Sequence, residues 1–161
     1  MKGNAKIVVL LNRLLAGELT AVDQYFIHSE MYANWGFSRL HERVHHEMDD
    51  EREHCRKLIA RILFLEGTPN LATRAAMTVG ANVKQMLEND LAIEIGVVKA
   101  IRAGIAECEK AQDYVTREML ETLLVDTEED HTHWLEQQLG LIRMVGLENY
   151  LQSQMGSAAA T

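Results

Sequence analysis

Two Glu-x-x-His pairs have the residue types and spacing that most clearly indicate chemistry: Glu51 with His54, and Glu128 with His131. Residues three apart on a helix face the same side, so each pair can hold one ion with a carboxylate and an imidazole. A single such pair is a weak signal, because it usually lies solvated on an outer helix face. Two pairs in phase with apolar stripes are a much stronger signal.

Two further glutamates, Glu18 and Glu94, lie at a similar depth in two other long helical patterns. Four carboxylates and two imidazoles inside one bundle would be very costly without a cation to bind them. The sequence therefore predicts a dinuclear metal site. Mixed carboxylate and imidazole ligands suit iron or manganese, whereas the lack of thiolates argues against structural zinc. The alternative is a bundle with a misassigned face and surface carboxylates.

Length and composition indicate one ordinary globular domain spanning residues 1–161. The hydrophobic fraction is 47%, the charged fraction is 25% and the net charge is -8. The acidic balance argues against a nucleic-acid partner and favours cations. Cys55 and Cys108 form no CxxC motif, which fits a reducing compartment. Since no stretch approaches the ~20 apolar residues of a membrane span, we expect a cytoplasmic protein without membrane contact.

Hydrophobic periodicity predicts four long helices and a short fifth one. The predicted helices cover roughly residues 5–34, 39–66, 83–111, 114–144 and 147–155, and a mobile tail follows at 156–161. Predicted N-caps are Asn4, Ser38, Asn82 and Asp113. Gly67 is expected to take the left-handed position after the second helix. The four long helices together give a predicted bundle of roughly residues 5–144.

The connection between the second and third helices, roughly 68–81, is long for a helical bundle. It lets the chain run back along the bundle, so that these two helices lie parallel. The minimal turn before Asp113 makes the third and fourth helices antiparallel. The predicted fold is all-α: a four-helix bundle with one long crossover, as in ferritin-like folds, plus a short C-terminal fifth helix.

At its predicted metal ligands the sequence resembles the bacterioferritins and the related bacterial ferritins, over nearly its whole length. The supporting segments are Gly17-Glu18-Leu19, Asp23-Gln24-Tyr25-Phe26, Asn34-Trp35-Gly36, Arg61-Ile62-Leu63-Phe64-Leu65-Glu66-Gly67 and Asp113-Tyr114-Val115. The resemblance implies a hollow shell of twenty-four subunits, oxidation of ferrous iron at a di-iron centre in each, and a ferric mineral stored inside. It implies two irons per subunit and six ferroxidase ligands: Glu18, Glu51, His54, Glu94, Glu128 and His131.

The resemblance also suggests roles for residues beside these ligands. Glu51 and Glu128 are expected to bridge the two irons. Tyr25, two turns from Glu18, could supply an electron, or could be a core tyrosine with a bonded hydroxyl. His46 and Asp50 match an inner-surface iron site of some family members, and an exposed i,i+4 pair is the alternative.

The sequence departs from bacterioferritins at the haem-binding position. The family binds haem b through a methionine just after the ligand glutamate of the second helix, and here that position is Arg52. A guanidinium cannot replace a thioether as an iron ligand, so a shell of this chain alone is expected to bind little or no haem. Some family members mix subunits, so this chain could also be the haem-free subunit beside a haem-binding sister.

Two other function classes compete with a ferroxidase: a structural or haem-partner subunit of the shell, and another di-metal bundle enzyme. The complete ligand set and Arg52 argue against the first. Rubrerythrin-like proteins need CxxC pairs, and manganese catalase-like and ribonucleotide-reductase-like chains are generally longer. The sequence leaves open whether dioxygen or peroxide is the oxidant, how iron reaches the site, whether the centre is permanent, and whether a ferredoxin-type reductant triggers iron release.

Overall fold

The computed structural model describes residues 2–156, and every regular element in that range is helical. The elements are α1 (Ala5–Asn34), α2 (Ser38–Phe64), α3 (Val83–Lys110), α4 (Tyr114–Val125), a π-helical stretch called here the π segment (Asp126–Thr132), α5 (His133–Val145) and α6 (Leu147–Gln154). Backbone angles stay helical at both ends of the π segment, so α4, the π segment and α5 form one long fourth helix. The all-α four-helix bundle with a short fifth helix is confirmed. Of the predicted tail, residues 157–161 lie outside the described range.

The helix ends agree with the sequence at three predicted N-caps and differ at two other positions. The side chains of Asn4, Asn82 and Asp113 each accept a hydrogen bond from a backbone N–H of the first helical turn. The predicted cap Ser38 is instead the first residue of α2, where no side chain makes a capping bond. The predicted left-handed Gly67 is also wrong, because α2 ends earlier and Glu66 takes the positive φ of 61°.

Contacts between helix ends establish the direction of the bundle helices. Arg61, in the last turn of α2, donates to Oδ1 of Asp113 at 2.8 Å. Asp113 lies in the short turn between α3 and α4. Helices α2 and α3 therefore end at the same end of the bundle and run parallel. At this end Gly3 N, just before α1, donates to Leu65 O at 3.0 Å, so α1 is antiparallel to α2.

The crossover between α2 and α3 is held by side chains of α1. Three buried side chains at four-residue steps accept from crossover amides: Thr20 Oγ1 from Ala75 N (2.8 Å), Gln24 Oε1 from Thr78 N (3.2 Å) and His28 Nε2 from Gly80 N (3.2 Å). Gln24 and His28 also bind Asp90 Oδ1 of α3, at 2.7 and 2.8 Å. This polar row satisfies crossover amides that no helix or strand can pair.

The apolar core consists of two clusters, one toward each half of the bundle. The first contains Ile7, Leu11, Leu15, Leu58, Ile62, Ile101 and Leu120. The second contains Tyr32, Leu40, Val44, Met86, Leu87, Leu135 and Tyr150. Positions between the two sets along the helices carry buried polar side chains, among them Glu18, Glu51 and Glu94.

On the N-terminal side of His131, the buried face of the fourth helix departs from a constant period of 3.6 residues. The stripe traced back from His131 predicts Leu124 and Glu128 as inward-facing, whereas Leu123 and Thr127 are buried. A π-helical turn contains an extra residue relative to an α-helical one. Periodicity of 3.6 residues therefore slips by about one residue across the π segment. After His131 the stripe is in phase again, with Leu135 and Ile142 buried.

None of the described helices is both long enough and apolar enough to cross a membrane.

Replacing Thr20 by valine should loosen the crossover while keeping the side-chain shape. The Ala75 amide then loses its acceptor, at a cost of about 1–2 kcal/mol. We expect the Ala75 amide to exchange with deuterium at least about fivefold faster. Thr122→Val is the matched control, because the exposed Thr122 hydroxyl donates only to Met119 O in its own helix. Unchanged exchange at Ala75 would mean that Thr20 does not hold the crossover.

Candidate metal centre

Each long helix supplies at least one side chain to a buried polar layer between the two apolar clusters. The residues are Glu18 from α1, Glu51 and His54 from α2, Glu94 from α3 and His131 from the π segment. All five are at most 2% exposed. Each belongs to a helix whose apolar face packs into the bundle, so the helical period carries these polar groups inward too.

Glu51 lies at the middle of this layer, between two imidazoles. His54 Nδ1 is 3.2 Å from one oxygen of Glu51, and His131 Nδ1 is 2.8 Å from the other. The two rings stack, with centroids 5.7 Å apart. Glu94 Oε1 lies 3.8 Å from His131 Nδ1. Glu51 thus presents one oxygen to each side of the layer.

Two groups of ligand atoms in the layer are compact enough to surround an ion, and they share Glu51. One group is Glu18, Glu51 and His54; the other is Glu51, Glu94 and His131. Within each group the ligand atoms lie within 4.8 Å of one another. A shared carboxylate between two such groups is the arrangement of a dinuclear site with a bridging ligand.

Several buried oxygens in the layer lack hydrogen-bond partners among the described residues. Both oxygens of Glu18 and one oxygen of Glu94 are buried in this way. An unsatisfied buried carboxylate oxygen is costly, by several kcal/mol in rough terms. Hard oxygen donors and imidazole nitrogens together suit ferrous iron or manganese. The donor set therefore fits a pair of such ions.

The carboxyl pKa values differ because the three groups have different neighbours. Burial, together with the charges of Glu51 and Glu94, raises the pKa of Glu18 well above its ordinary value. Burial and then the charge of Glu51 raise the pKa of Glu94 to about 7. Burial would also raise the pKa of Glu51, but hydrogen bonds with His131 and His54 hold it below the ordinary value. Glu51 is therefore the ionised member of the three.

The two imidazoles supply positive charge to the layer. Burial would lower the pKa of His131, but contacts with Glu47, Glu51 and Glu94 raise it far above the ordinary value. The pKa of His54 is also raised, since its bonds to Glu51 outweigh burial. Imidazole binds metal only when deprotonated. Metal binding at this layer therefore exchanges protons for cations.

Glu128 does not join the other five predicted ligands. Its side chain is one-third exposed and pairs with Arg102 Nη2 at 2.5 Å. The phase shift of the π segment explains this position, because it turns Thr127 rather than Glu128 toward the bundle interior.

Tyr25 is buried, and its hydroxyl donates to Glu94 Oε1. Burial and the charges of Glu94 and Asp90 raise the pKa of the Tyr25 phenol well above its ordinary value. The neutral phenol therefore stays next to a candidate ligand. The bonded hydroxyl agrees with the interpretation of Tyr25 as a core tyrosine, and its role as an electron donor stays a prediction.

The other residues singled out from the sequence lie outside the buried layer. His46 Nε2 and Asp50 Oδ2 are 3.4 Å apart on a largely exposed face, and neither belongs to a compact ligand group among the described residues. Arg52 is mostly exposed and pairs loosely with Asp49, at 3.8 Å. An inner-surface iron site at His46 and Asp50 stays a prediction.

Sequence reasoning missed polar side chains that contact the ligands. Asp126 Oδ2 lies 3.3 Å from His54 Nε2, so it can fix the orientation of that ring. Glu47 Oε2 lies 3.0 Å from His131 Nε2. Glu47 stands one helical turn before Glu51 on the same stripe, and this spacing was a usable signal. Asp126 carries no such signal, because its partner is 72 positions away.

Two cavities reach the layer from different sides. A polar cavity of about 250 Å³ lies over the two imidazoles and is lined by Asp50, Glu53, His54, Lys57, Asp126, Asp130 and His131. A more apolar cavity of about 370 Å³ reaches Glu18 between α1, the crossover and α3. The buried groups are thus reachable by small solutes.

The raised pKa of Glu94 predicts a pH-dependent effect of Glu94→Gln on chelator-treated, metal-free protein. A carboxyl whose pKa is higher in the folded than in the unfolded state stabilises the fold while it is protonated. That contribution is complete below about pH 4.5 and is lost as the pH rises through about 7. The glutamine stays neutral, so the variant should melt a few °C higher at pH 8 and unchanged at pH 4.5. Glu118→Gln, an exposed change outside the layer, is the control. Equal melting temperatures at pH 8 would contradict the raised pKa.

Comparison with known proteins shows the family of this chain. The ferritin-like domain family matches residues 8–145. A bacterial ferritin of Pseudomonas aeruginosa is 54% identical over 155 residues, which cover 96% of this chain and 100% of that protein. A bacterial ferritin of Synechocystis is 52% identical, with 96% and 99% covered. A bacterioferritin of Mycobacterium leprae is 41% identical over 150 residues, with 93% and 94% covered. The chain therefore belongs to the ferritin family, in the group that contains the bacterial ferritins and bacterioferritins.

Proposed function

We propose that this chain oxidises ferrous iron at the buried layer and stores the ferric product inside a shell of identical subunits. The observation that carries the proposal is the pair of ligand groups sharing Glu51, beside buried Glu18 oxygens without hydrogen-bond partners. Relatives named bacterial ferritin over nearly the full length support iron storage as its purpose.

Two adjacent ferrous ions suit the electron count of the reaction. Each ion gives up one electron, and two electrons with two protons reduce dioxygen to hydrogen peroxide. The same two electrons and two protons reduce hydrogen peroxide to two water molecules. Both oxidants are therefore compatible with the site. Ionised Glu51 can hold both ferrous ions, and Glu18 and Glu94 add negative charge as they lose their protons, which stabilises the ferric products.

Glu128 has to move if it serves as the second bridging ligand. Its carboxylate would leave Arg102 and turn inward from the π segment. π-Helical turns are frequent at functional sites, and their irregular hydrogen bonding makes such a shift less costly than in a regular helix. The proposal includes Tyr25 as the source of a further electron, and the bond of its hydroxyl to Glu94, a candidate ligand, supports this role.

Titrating metal-free protein with ferrous iron in air should give rapid oxidation that saturates near two irons per chain, followed by slower mineral growth. Glu18→Ala or His131→Ala should lower the fast initial rate at least about tenfold, because each removes a ligand. The measurement is ferric absorbance by stopped flow.

Glu118→Gln provides the matched control for that titration, since it removes an exposed carboxylate outside the three compact ligand groups. Its fast phase should equal that of the unaltered chain. A full fast phase in Glu18→Ala would refute the assignment of the centre.

Expressed alone, the chain should form a haem-free shell. Twenty-four chains of 18.2 kDa give a particle of about 440 kDa. Size-exclusion chromatography with light scattering measures the mass, and the absorbance spectrum should lack a Soret band because Arg52 cannot ligate haem iron. A small particle would favour another di-metal bundle enzyme, whereas a stoichiometric Soret band would refute the haem prediction.

The alternative proposal is a mixed shell in which this chain is the haem-free subunit. Arg52, exposed and paired with Asp49, supports it, because this chain lacks the methionine that a sister subunit would supply. Copurification of a second ferritin chain from the native source would favour this arrangement. A cytoplasmic location and a ferredoxin-type release partner stay predictions.

A further inference from the structure

His131 presents its two ring nitrogens to two different sets of carboxylates. Nδ1 faces the buried centre, 2.8 Å from Glu51 Oε1. Nε2 faces away from it, 3.0 Å from Glu47 Oε2 and 4.0 Å from Asp50 Oδ2. The two-ion centre uses one nitrogen of this ring. The second nitrogen belongs to a separate group of potential ligands.

Glu47 is a buried carboxylate that the proposed oxidation does not use. Its side chain is 2% exposed, and neither oxygen has a hydrogen-bond partner among the described residues. Its neighbours are ionic: Arg43 Nε lies 2.6 Å from Oε1, and His131 Nε2 lies 3.0 Å from Oε2. A buried carboxylate held only by cationic groups is a carboxylate that a metal cation can also satisfy.

Asp130 completes the group from the solvent side. Its side chain is about half exposed, and Arg43 Nη2 contacts its Oδ1. Ligand atoms of Glu47, Asp130 and His131 all lie within 4.8 Å of one another. The single positive charge of Arg43 therefore contacts the carboxylates of both Glu47 and Asp130.

We propose that Glu47, Asp130 and Nε2 of His131 form a third divalent-cation site, with Arg43 as the counter-charge that the cation displaces. When the two-ion centre is also filled, His131 binds through both nitrogens as an imidazolate, and the proton of Nε2 passes to solvent. The inference goes beyond the proposed oxidation and shares only His131 with the two-ion centre. Two carboxylates balance one divalent ion, and the mixture of oxygen and imidazole ligands suits first-row metals such as zinc, manganese and ferrous iron.

Access to the third site and the partial exposure of Arg43 both support the exchange. Asp130 and His131 line the polar cavity of about 250 Å³, so a cation can reach them from solvent. The Arg43 guanidinium is partly exposed and lies over the Trp134 ring, 5.2 Å from its centroid. It can therefore leave the carboxylates while keeping solvent and an aromatic face as partners.

Zinc binding tests the third site without any oxidation, because Zn²⁺ is redox-inert. The zinc content of the assembled protein is measured by mass spectrometry of the metal after gel filtration, across a range of zinc concentrations. Asp130→Asn should bind one zinc per chain fewer than the unaltered chain. Glu129→Gln, an exposed neighbouring change outside the group, should bind the same number as the unaltered chain. Arg43→Gln should lower the Kd of the third ion at least about tenfold, because no guanidinium competes.

Crystals soaked in zinc give the position directly, as an anomalous peak between Glu47, Asp130 and His131. Equal zinc content in Asp130→Asn and the unaltered chain, or no peak at saturating zinc, would overturn the third site. Unchanged zinc affinity in Arg43→Gln would overturn the role of Arg43. Glu18→Gln separates the two sites: it should reduce zinc at the two-ion centre and keep the third ion. If Glu18→Gln binds as much zinc as the unaltered chain while Asp130→Asn binds one zinc fewer, the two-ion centre is contradicted and the third site is supported.

Discussion

Charge balance in the buried polar layer is the constraint on which the rest of the structure depends. Three carboxylates and two imidazoles lie between two apolar clusters, where an uncompensated charge would cost several kcal/mol in rough terms. Within the chain itself, protons provide the balance: the imidazoles carry them, and the pKa values of Glu18 and Glu94 are raised. The same groups are the ligands of the proposed metal centre, and they can bind metal only when those protons leave. In that proposal, protons and cations compete for the same oxygens and nitrogens.

Four of the five predicted ligands that lie in the buried layer belong to uninterrupted α-helices, and His131, in the π segment, is the fifth. Glu18, Glu51, His54 and Glu94 follow the 3.6-residue period of their helices, and the apolar residues around them have the same phase. Because the period is constant along these helices, counting residues is enough to find the inward face. The long crossover was also predictable, since its length and lack of period distinguish it from a bundle turn.

The features that escaped prediction depend on contacts between distant positions or on a change of helical period. The position of Glu128 depends on the π segment, which no local pattern in the sequence indicates. The contact of Asp126 with His54 joins positions in different helices. The amides of the crossover find their acceptors on α1, more than fifty positions away. Such pairings arise from packing, which a single sequence does not specify locally.

The π segment lies between two halves of the fourth helix, α4 and α5, and allows each half to turn its apolar face toward the core. Its extra residue lets α4 bury Thr116, Leu120 and Leu123 while α5 buries Leu135 and Ile142. If the same residues were wound as a regular α-helix instead, one half would be rotated by about 100° relative to the other. Either the core contacts of α4 or the inward aim of His131 would then be lost. In this fold a one-residue irregularity acts as a spacer, because it allows both the apolar residues of α4 and His131 to be buried.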